Sequence, residues 1–143
     1  MENVVDGGEI STSLDGLVDL IAELETNLST PSHIVLGPLG WSELRKLKSA
    51  EGWNTSLIGA GTNDAVPMLL SLPVVVNVAI SGYDGLVLDR NSIVSAIGPV
   101  TIATSYDAYF AHDSVGLRAT WRVGHKAVRP TRLGKFTVAA PGS

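Results

Sequence analysis

Apolar residues spaced three and four positions apart dominate the first thirty positions of the chain. They are Leu14, Leu17, Val18, Ile21, Leu24 and Leu28. This spacing places all six on one face of an α-helix, with Thr12 or Ser13 as the N-cap. The sequence therefore predicts an amphipathic helix over residues 13–28, about four turns long. Residues 1–12, which are rich in Gly and acidic residues, are expected to be a flexible lead-in.

Segments typical of strands and of a second helix follow. "HIVLG" (33–37) is β-branched and apolar, so it predicts a short buried strand, and Pro38 marks the start of the second helix. "LPVVVNVAI" (72–80) is typical of a central strand. Further strands are predicted at 86–89, 101–106, 115–123 and 132–139. Residues 52–66 are rich in Gly, Asn, Ser and Thr and predict an exposed loop.

The composition indicates a folded domain in water. The chain has 143 residues, of which 45% are hydrophobic and 17% charged, and this suits a single domain with an ordinary core. It contains no cysteine, which excludes disulfides, thiolate metal sites and thiol nucleophiles. The N-terminus lacks the pattern of a signal peptide, so we expect synthesis in the cytoplasm.

Residue patterns that carry chemistry are weak. His33, His112 and His125 are scattered, and none has a second His at metal-chelating spacing. "HDS" (112–114) holds the residue types of a hydrolase triad, but no elbow motif presents the serine, and we interpret it as a polar turn. "GAGTND" (59–64) lacks the remaining residues of a phosphate-binding loop. We therefore predict no catalytic residue, no metal, no cofactor and no small-molecule substrate.

Charge is segregated along the chain, whose formal net charge is −4. The first thirty residues hold seven acidic residues and no Lys or Arg, whereas residues 114–143 hold six basic residues and no acidic one. The basic segment is a candidate interaction surface, made of Arg118, Arg122, Lys126, Arg129 and Arg132. Lys135 lies beyond it. Such a segment is also compatible with nucleic-acid binding, although Trp121 is its one aromatic residue.

Alternation within 115–123 predicts two unlike faces of one strand. Leu117, Ala119, Trp121 and Val123 share a face that we expect to lie in the core. Arg118, Thr120 and Arg122 share the other, which we expect to be a surface.

The order of these segments resembles the C-terminal part of the major capsid proteins of tailed bacteriophages, whose shell fold is shared with encapsulins. The resemblance rests on the first helix followed by "HIVLGPLGWSELRKLKSAEGW" (33–53). It continues with "LSLPVVVN" (70–77), which has Ser71 where Gly is common, and with the closing run from "GLVLD" to "KFTV" (85–138).

This resemblance implies an α+β fold, with two helices packed on a central mixed sheet. Residues 13–143 would form a capsid-like axial domain together with C-terminal strands of a peripheral domain. The loop 52–66, with Trp53, Asn54, Asn63 and Asp64, would lie at the five- and six-fold axes. An arm, a spine helix and an extended loop normally precede these segments, so the resemblance implies a fragment. Asp113 and Thr120-Trp121 stand near the cross-linking positions of some relatives, and we predict no cross-link.

The function implied is a structural capsid subunit of a phage or prophage, not an enzyme. Its partners would be copies of itself and, on the inner face, packaged DNA, with no membrane partner. It would be made in the bacterial cytoplasm and reside in the virion. The alternatives are an encapsulin-like compartment shell and a basic nucleic-acid-binding module. A hydrolase built on His112 and Ser114 is a weaker reading.

Overall fold

The described part of the computed structural model comprises residues 3–47, 67–109, 112 and 114–141, with backbone alone for 107–109. Its helices and strands, in chain order, are β1 (Val5–Ile10), α1 (Asp15–Thr26), β2 (His33–Leu36), α2 (Pro38–Lys46), β3 (Met68–Leu69), β4 (Leu72–Val76), β5 (Asp84–Leu88), β6 (Ile93–Ile97), β7 (Thr101–Tyr109), β8 (Ser114–Thr120), β9 (Val123–Ala127) and β10 (Gly134–Val138). The chain divides into two compact units, residues 1–92 with 128–143, and residues 93–127.

The first unit is built on a mixed sheet. Among the described residues it has six strands, in the order β1-β10-β5-β2-β4-β3. The pairs β1–β10 and β2–β4 are parallel, and the remaining neighbours are antiparallel. The predicted α+β class with a mixed sheet is confirmed. Strand β4, expected to be central, lies second from one edge of the sheet.

Both helices pack on the same face of this sheet. Leu20 and Leu24 of α1 lie against Gly134, where an added Cβ would come within 3.1 Å of each side chain. Gly40 of α2 contacts Leu36 of β2. The buried core joins Leu17, Leu20 and Leu24 to inward side chains of the sheet, among them Ile34, Val87, Phe136 and Val138. Burial of this face by the two helices is the main source of stability in the unit.

Helix α1 is two residues shorter at each end than its apolar pattern predicts. Leu14 occupies the N-cap position, and Ser13 Oγ accepts a hydrogen bond from the Asp15 N–H at 3.4 Å. At the other end Ser29 N–H donates to the Leu24 carbonyl and Leu28 N–H donates to the Glu25 carbonyl, which is the Schellman pattern. Leu28 adopts φ = 58° there, so it continues the apolar spacing without continuing the helix.

Residues 1–12 are not simply a flexible lead-in, because Val5–Ile10 form an edge strand. Strand β1 pairs in parallel with β10, and Ile10 is buried. Its "VDGGEI" sequence does not alternate between polar and apolar residues. In the structure, Ile10 is buried and the other five residues of the strand are exposed or half-buried. Gly7 leaves room for Leu20, whose Cδ2 would lie 2.7 Å from a Cβ at that position. Tertiary packing rather than local preference therefore makes this segment a strand.

The second unit is a long antiparallel ribbon. Strand β6 pairs with β9, and β7 pairs with β8. Ile97 faces Val123 and Thr101 faces Thr120, so three residues (98–100) oppose two (121–122), which is a one-residue bulge. The Gly98 N–H donates to the Arg122 carbonyl at 2.9 Å across it. Within the described residues, neither outer edge of this ribbon has a strand partner.

The prediction that one face of 115–123 lies in the core is wrong. The strand ends at Thr120, and Leu117 is 74% exposed, Trp121 58% and Val123 48%. A two-stranded ribbon has no second layer of its own, so alternation sorts polar from apolar side chains without burying either face. Strand β10, at the predicted 132–139, instead belongs to the sheet of the first unit.

Candidate functional site

The polar face of the ribbon carries the first two residues of the predicted basic surface, Arg118 and Arg122. Arg118 lies opposite Ala103 in the β7–β8 ladder, and Thr120 lies opposite Thr101. Arg122 follows at the bulge, where its carbonyl accepts from Gly98. The opposing side chains are short, and they leave a trough of about 430 Å³. Both arginines and Thr120 line one side of it, and Gly98, Pro99, Thr101 and Ala103 line the other.

The two arginines of this trough are available to an outside partner. Both are exposed, and neither takes part in an ion pair among the described residues, where the salt bridges are Lys46–Glu43 and Lys135–Asp6. The two arginines are four residues apart, which allows at most about 14 Å between their Cα atoms. A guanidinium presents a planar fork of donors that matches carboxylate or phosphate oxygens. The trough is therefore suited to an elongated anionic partner that spans both side chains.

The other basic residues of the predicted surface lie partly in the ribbon and partly in the first unit. Lys126 is exposed on β9 opposite Val94 in the ribbon, whereas Arg129 and Arg132 lie in the first unit. Arg132 is half-buried, and its carbonyl accepts a hydrogen bond from Ser29 Oγ at 3.0 Å. Lys135, beyond the row, is paired with Asp6 at 2.8 Å. The sequence did not indicate that the predicted basic residues are divided between the two units.

The opposite face of the β7–β8 ribbon is apolar and exposed. Ile102 and Leu117 are 69% and 74% exposed, and Tyr106 and Val115 also lie in solvent. Ile102 faces Ala119 and Thr104 faces Leu117 across the ladder, so these side chains share one surface. Such a surface on a ribbon with free edges is typical of a protein–protein contact.

Helix α1 carries a row of acidic side chains on its solvent face. Asp15, Asp19 and Glu23 follow one another at four-residue spacing, and all three are exposed. None is in an ion pair within the part of the chain that the structure describes. Like charges at this spacing destabilise a helix by about 0.2–0.5 kcal/mol per pair. No Lys or Arg precedes Arg45 in the sequence. The row is therefore negatively charged, and α1 contains no basic side chain that could neutralise it.

The open face of the sheet, away from the helices, has its polar groups satisfied internally. A cleft of about 400 Å³ is lined there by Asp6, Asp84, Lys135 and Thr137. Asp6 accepts from Lys135 and from the Gly8 N–H, and these hydrogen bonds hold its pKa below the usual range. Thr137 Oγ1 donates to Asp84 at 3.2 Å. This cleft offers a partner fewer free groups than the arginine trough.

A buried carboxylate stands at the end of β5, where the chain leaves the sheet. Asp89 is 1% exposed and accepts hydrogen bonds from Ser92 Oγ (3.1 Å), Asn91 N–H (2.9 Å) and Thr30 N–H (3.3 Å). Burial is the largest influence and by itself would raise the pKa, but these hydrogen bonds, with the charge of Arg132, lower it overall. The group is an ionised structural anchor between the α1–β2 turn and the start of the ribbon. No local sequence pattern indicates this role, because one of the donors, Thr30, is distant in sequence.

Among the described residues, no hydrogen bond joins the Ser114 hydroxyl to a histidine ring. His33 is half-buried on β2, while His112 and His125 are exposed. Ser114 Oγ donates to the carbonyl of His112. No group of three His, Cys, Asp or Glu residues able to hold a metal ion occurs in the described ranges. Nor is any described helix long and apolar enough to cross a membrane.

Some predicted site residues cannot be placed. Trp53, Asn54, Asn63 and Asp64 of the expected axial loop, and Asp113, lie outside the described residues. The "GAGTND" segment lies there too.

Comparison with known proteins identifies relatives of the chain as a whole. The model of the phage capsid family matches residues 2–138. The fold is similar to a solved capsid of an empty GTA particle, with 20% identity, a TM-score of 0.71, and 92% of this chain covering 50% of that one. It is similar to a structure of Gordonia phage Cozz, with 13% identity, a TM-score of 0.71, and 98% of this chain covering 51% of that one.

A third similar structure is a virus-like particle. The virus-like particle of Pyrococcus furiosus shares 14% identity at a TM-score of 0.55, with 95% of this chain covering 57% of that one. No curated protein sequence matches the chain. The chain thus spans about half the length of the solved chains it resembles.

Proposed function

The chain belongs to the phage capsid family, and on that premise we propose that it is a structural part of an icosahedral phage or prophage shell. Copies of the protein would assemble around DNA. We propose that it resides in the virion capsid, which the family match supports, and that it is made in the bacterial cytoplasm. Its role is structural rather than catalytic, and it requires no cofactor, membrane or small-molecule partner.

The observation that carries this proposal is the exposure of the β7–β8 ribbon on both faces. One face is an apolar surface containing Ile102 and Leu117, and the other is the arginine trough. An isolated two-stranded ribbon is at best marginally stable in water. Covering its exposed edges and its apolar face with protein lowers the free energy. A shell subunit, which contacts neighbours along much of its surface, provides that cover.

The two compact units support an assignment within the shell. We propose that the sheet-and-helix unit (1–92 and 128–143) is the axial domain and that the ribbon (93–127) belongs to the peripheral domain. Residues 52–66 would then be the loop at the five- and six-fold axes, with Trp53, Asn54, Asn63 and Asp64. Arg118, Arg122, Lys126, Arg129 and Arg132 would be subunit-interface residues. The cross-link of some relatives is not expected here.

The unpaired arginines also favour a second candidate function, nucleic-acid binding. Arg118 and Arg122 have no acidic partner among the described residues, and phosphates satisfy guanidinium groups well. An encapsulin-like compartment remains the alternative within the shell class, and the similarity to the Pyrococcus furiosus virus-like particle supports it.

Sedimentation velocity over a range of chain concentrations, with negative-stain electron microscopy, tests the proposal. We expect self-association into small multi-copy species, but not closed particles tens of nanometres wide, because the chain spans about half of its structural relatives. A variant with Ile102→Thr and Leu117→Thr should associate less at an unchanged melting temperature.

A chain that stays monomeric at every concentration would contradict the shell function. If that monomer also bound duplex DNA with steep salt dependence, the nucleic-acid function would replace it.

A further inference from the structure

We infer that the arginine trough of one copy receives the acidic row of helix α1 from a neighbouring copy. The proposed contact joins Arg118 and Arg122 to Asp15, Asp19 and Glu23. This inference rests on the proposed shell function and names the partner surface of its basic site.

Matched spacing supports the pairing. Asp15 and Glu23 are eight residues apart on α1, which is about 12 Å along the helix axis. Arg118 and Arg122 are four residues apart, on either side of the end of β8, so their Cα atoms are at most about 14 Å apart. A helix laid along the trough therefore brings a carboxylate near each guanidinium, with Asp19 midway, near the Thr120 hydroxyl.

Charge supports it as well. Both surfaces are exposed, and neither has an ion-pair partner within the described ranges. The sequence provides seven acidic and no basic residues in the first thirty positions, so α1 itself carries no cation. Complementary rows of this kind set the orientation of an encounter and suppress wrong partners, which is what a repeating contact between identical subunits requires.

Shape supports a helix as the occupant. The side of the trough that faces Arg118, Thr120 and Arg122 is lined by the short side chains of Pro99, Thr101 and Ala103 and by Gly98. On α1, Ala22 and Thr26 lie among the acidic residues and are also exposed. Small side chains on both sides allow the helix to approach closely enough for the carboxylates to reach the guanidinium groups.

Disulfide trapping tests the contact directly, because the chain contains no cysteine and every cross-link comes from the introduced pair. One chain carries Thr120→Cys, in the trough between the arginines. A second, with a different affinity tag, carries Ala22→Cys, on the acidic face of α1. Mild oxidation of the mixture should give the doubly tagged dimer. The matched control is Val78→Cys, which is 86% exposed and far in sequence from both surfaces.

Charge reversal then separates the proposed pairing from chance collision. Arg118→Glu with Arg122→Glu in the first chain should lower the cross-linking rate about tenfold. Asp19→Arg with Glu23→Arg in the second chain should do the same. Combining the two reversed chains should restore the rate. The four chains should keep the same melting temperature, since all the changed side chains are exposed.

Three results would overturn the inference. The first is equal cross-linking of Thr120→Cys to Ala22→Cys and to Val78→Cys. The second is failure of the combined reversal to restore the rate while self-association persists, which would leave the shell function standing. The third is protection of Thr120→Cys by duplex DNA, lost on reversal of the arginines, with no effect of reversing Asp19 and Glu23. That result would identify nucleic acid as the occupant.

Discussion

The ring of Phe136 lies over the backbone of Gly85, its direct partner in the β10–β5 ladder. A Cβ at position 85 would lie 2.6 Å from Phe136 Cε2 and 2.7 Å from Leu36 Cδ2. Both side chains are at most 2% exposed, so neither can move aside into solvent. The missing side chain of Gly85 is thus part of the core packing between the sheet and the helices.

We expect Gly85→Ala to lower the free energy of unfolding by about 1–3 kcal/mol, the usual effect of overpacking a core. Urea denaturation followed by circular dichroism measures it. Gly124→Ala is the matched control, because Gly124 is also a strand glycine but an added Cβ there meets no atom within 4 Å. That variant should stay within about 0.5 kcal/mol of the wild type. Equal effects of the two substitutions would argue against the packing of Phe136 on Gly85.

Leu28 closes α1 in the left-handed conformation that favours glycine, with φ = 58° and an exposed side chain. Leu28→Gly should therefore raise the free energy of unfolding by about 1 kcal/mol, since the Cβ strain disappears and little buried surface is lost. Thermal unfolding provides the measurement. Leu28→Ala keeps the Cβ and should give no such gain. If Ala stabilised the protein as much as Gly, removal of the exposed apolar side chain would be the cause instead of backbone strain.

The turn between β3 and β4 has two consecutive left-handed residues, Leu70 (φ = 50°) and Ser71 (φ = 65°). Two-residue hairpin turns of this kind prefer Asn-Gly. We expect Ser71→Gly to stabilise the protein by about 0.5–1 kcal/mol and Leu70→Asn with Ser71→Gly to stabilise it further. Ser71→Ala, which retains the Cβ, should destabilise or leave the protein unchanged. A loss of stability in the Asn-Gly variant would show that the Leu70 side chain contributes more than the turn.

Asp89 should contribute stability as a carboxylate. Its folded-state pKa lies below the ordinary 3.8, so the contribution is present above pH 3.8 and is lost as the pH falls through the lower, folded-state value. Asp89→Asn places an amide nitrogen where the hydrogen-bond donors of Thr30, Asn91 and Ser92 now point. The substitution should therefore lower the free energy of unfolding by about 1–2 kcal/mol at pH 7. The difference between the two proteins should shrink below pH 3.8, as measured by thermal unfolding at several pH values.

Asp6→Asn is the control for this pH dependence. The pKa of Asp6 is also lowered, but its ion pair with Lys135 is on the surface and is screened by solvent. Its substitution should change stability little at any pH. A pH-independent effect of Asp89→Asn would mean that the carboxylate charge is not what holds the turn.

Local sequence determined those elements whose side chains repeat with a clear period or whose ends carry a backbone signal. The three- and four-residue spacing from Leu14 to Leu24 identified α1 because burial of one helix face requires it. Pro38 identified the first residue of α2 because its fixed φ and missing N–H suit that position. Segregated charge likewise indicated that Arg118 and Arg122 are surface residues. Basic side chains are rarely buried without an acidic partner, and residues 114–143 contain no acidic residue.

Tertiary structure alone decided which segments pair and what each face meets. Strand β1 exists because β10 offers an edge and Gly7 admits Leu20, neither of which is visible in "VDGGEI". Asp89 became an anchor because Thr30, distant in sequence, donates to it. Alternation in 115–123 correctly separated Leu117 from Arg118, but it could not tell that both faces lie in solvent. A period of two reports that the faces differ, whereas burial depends on whether a second layer covers one of them.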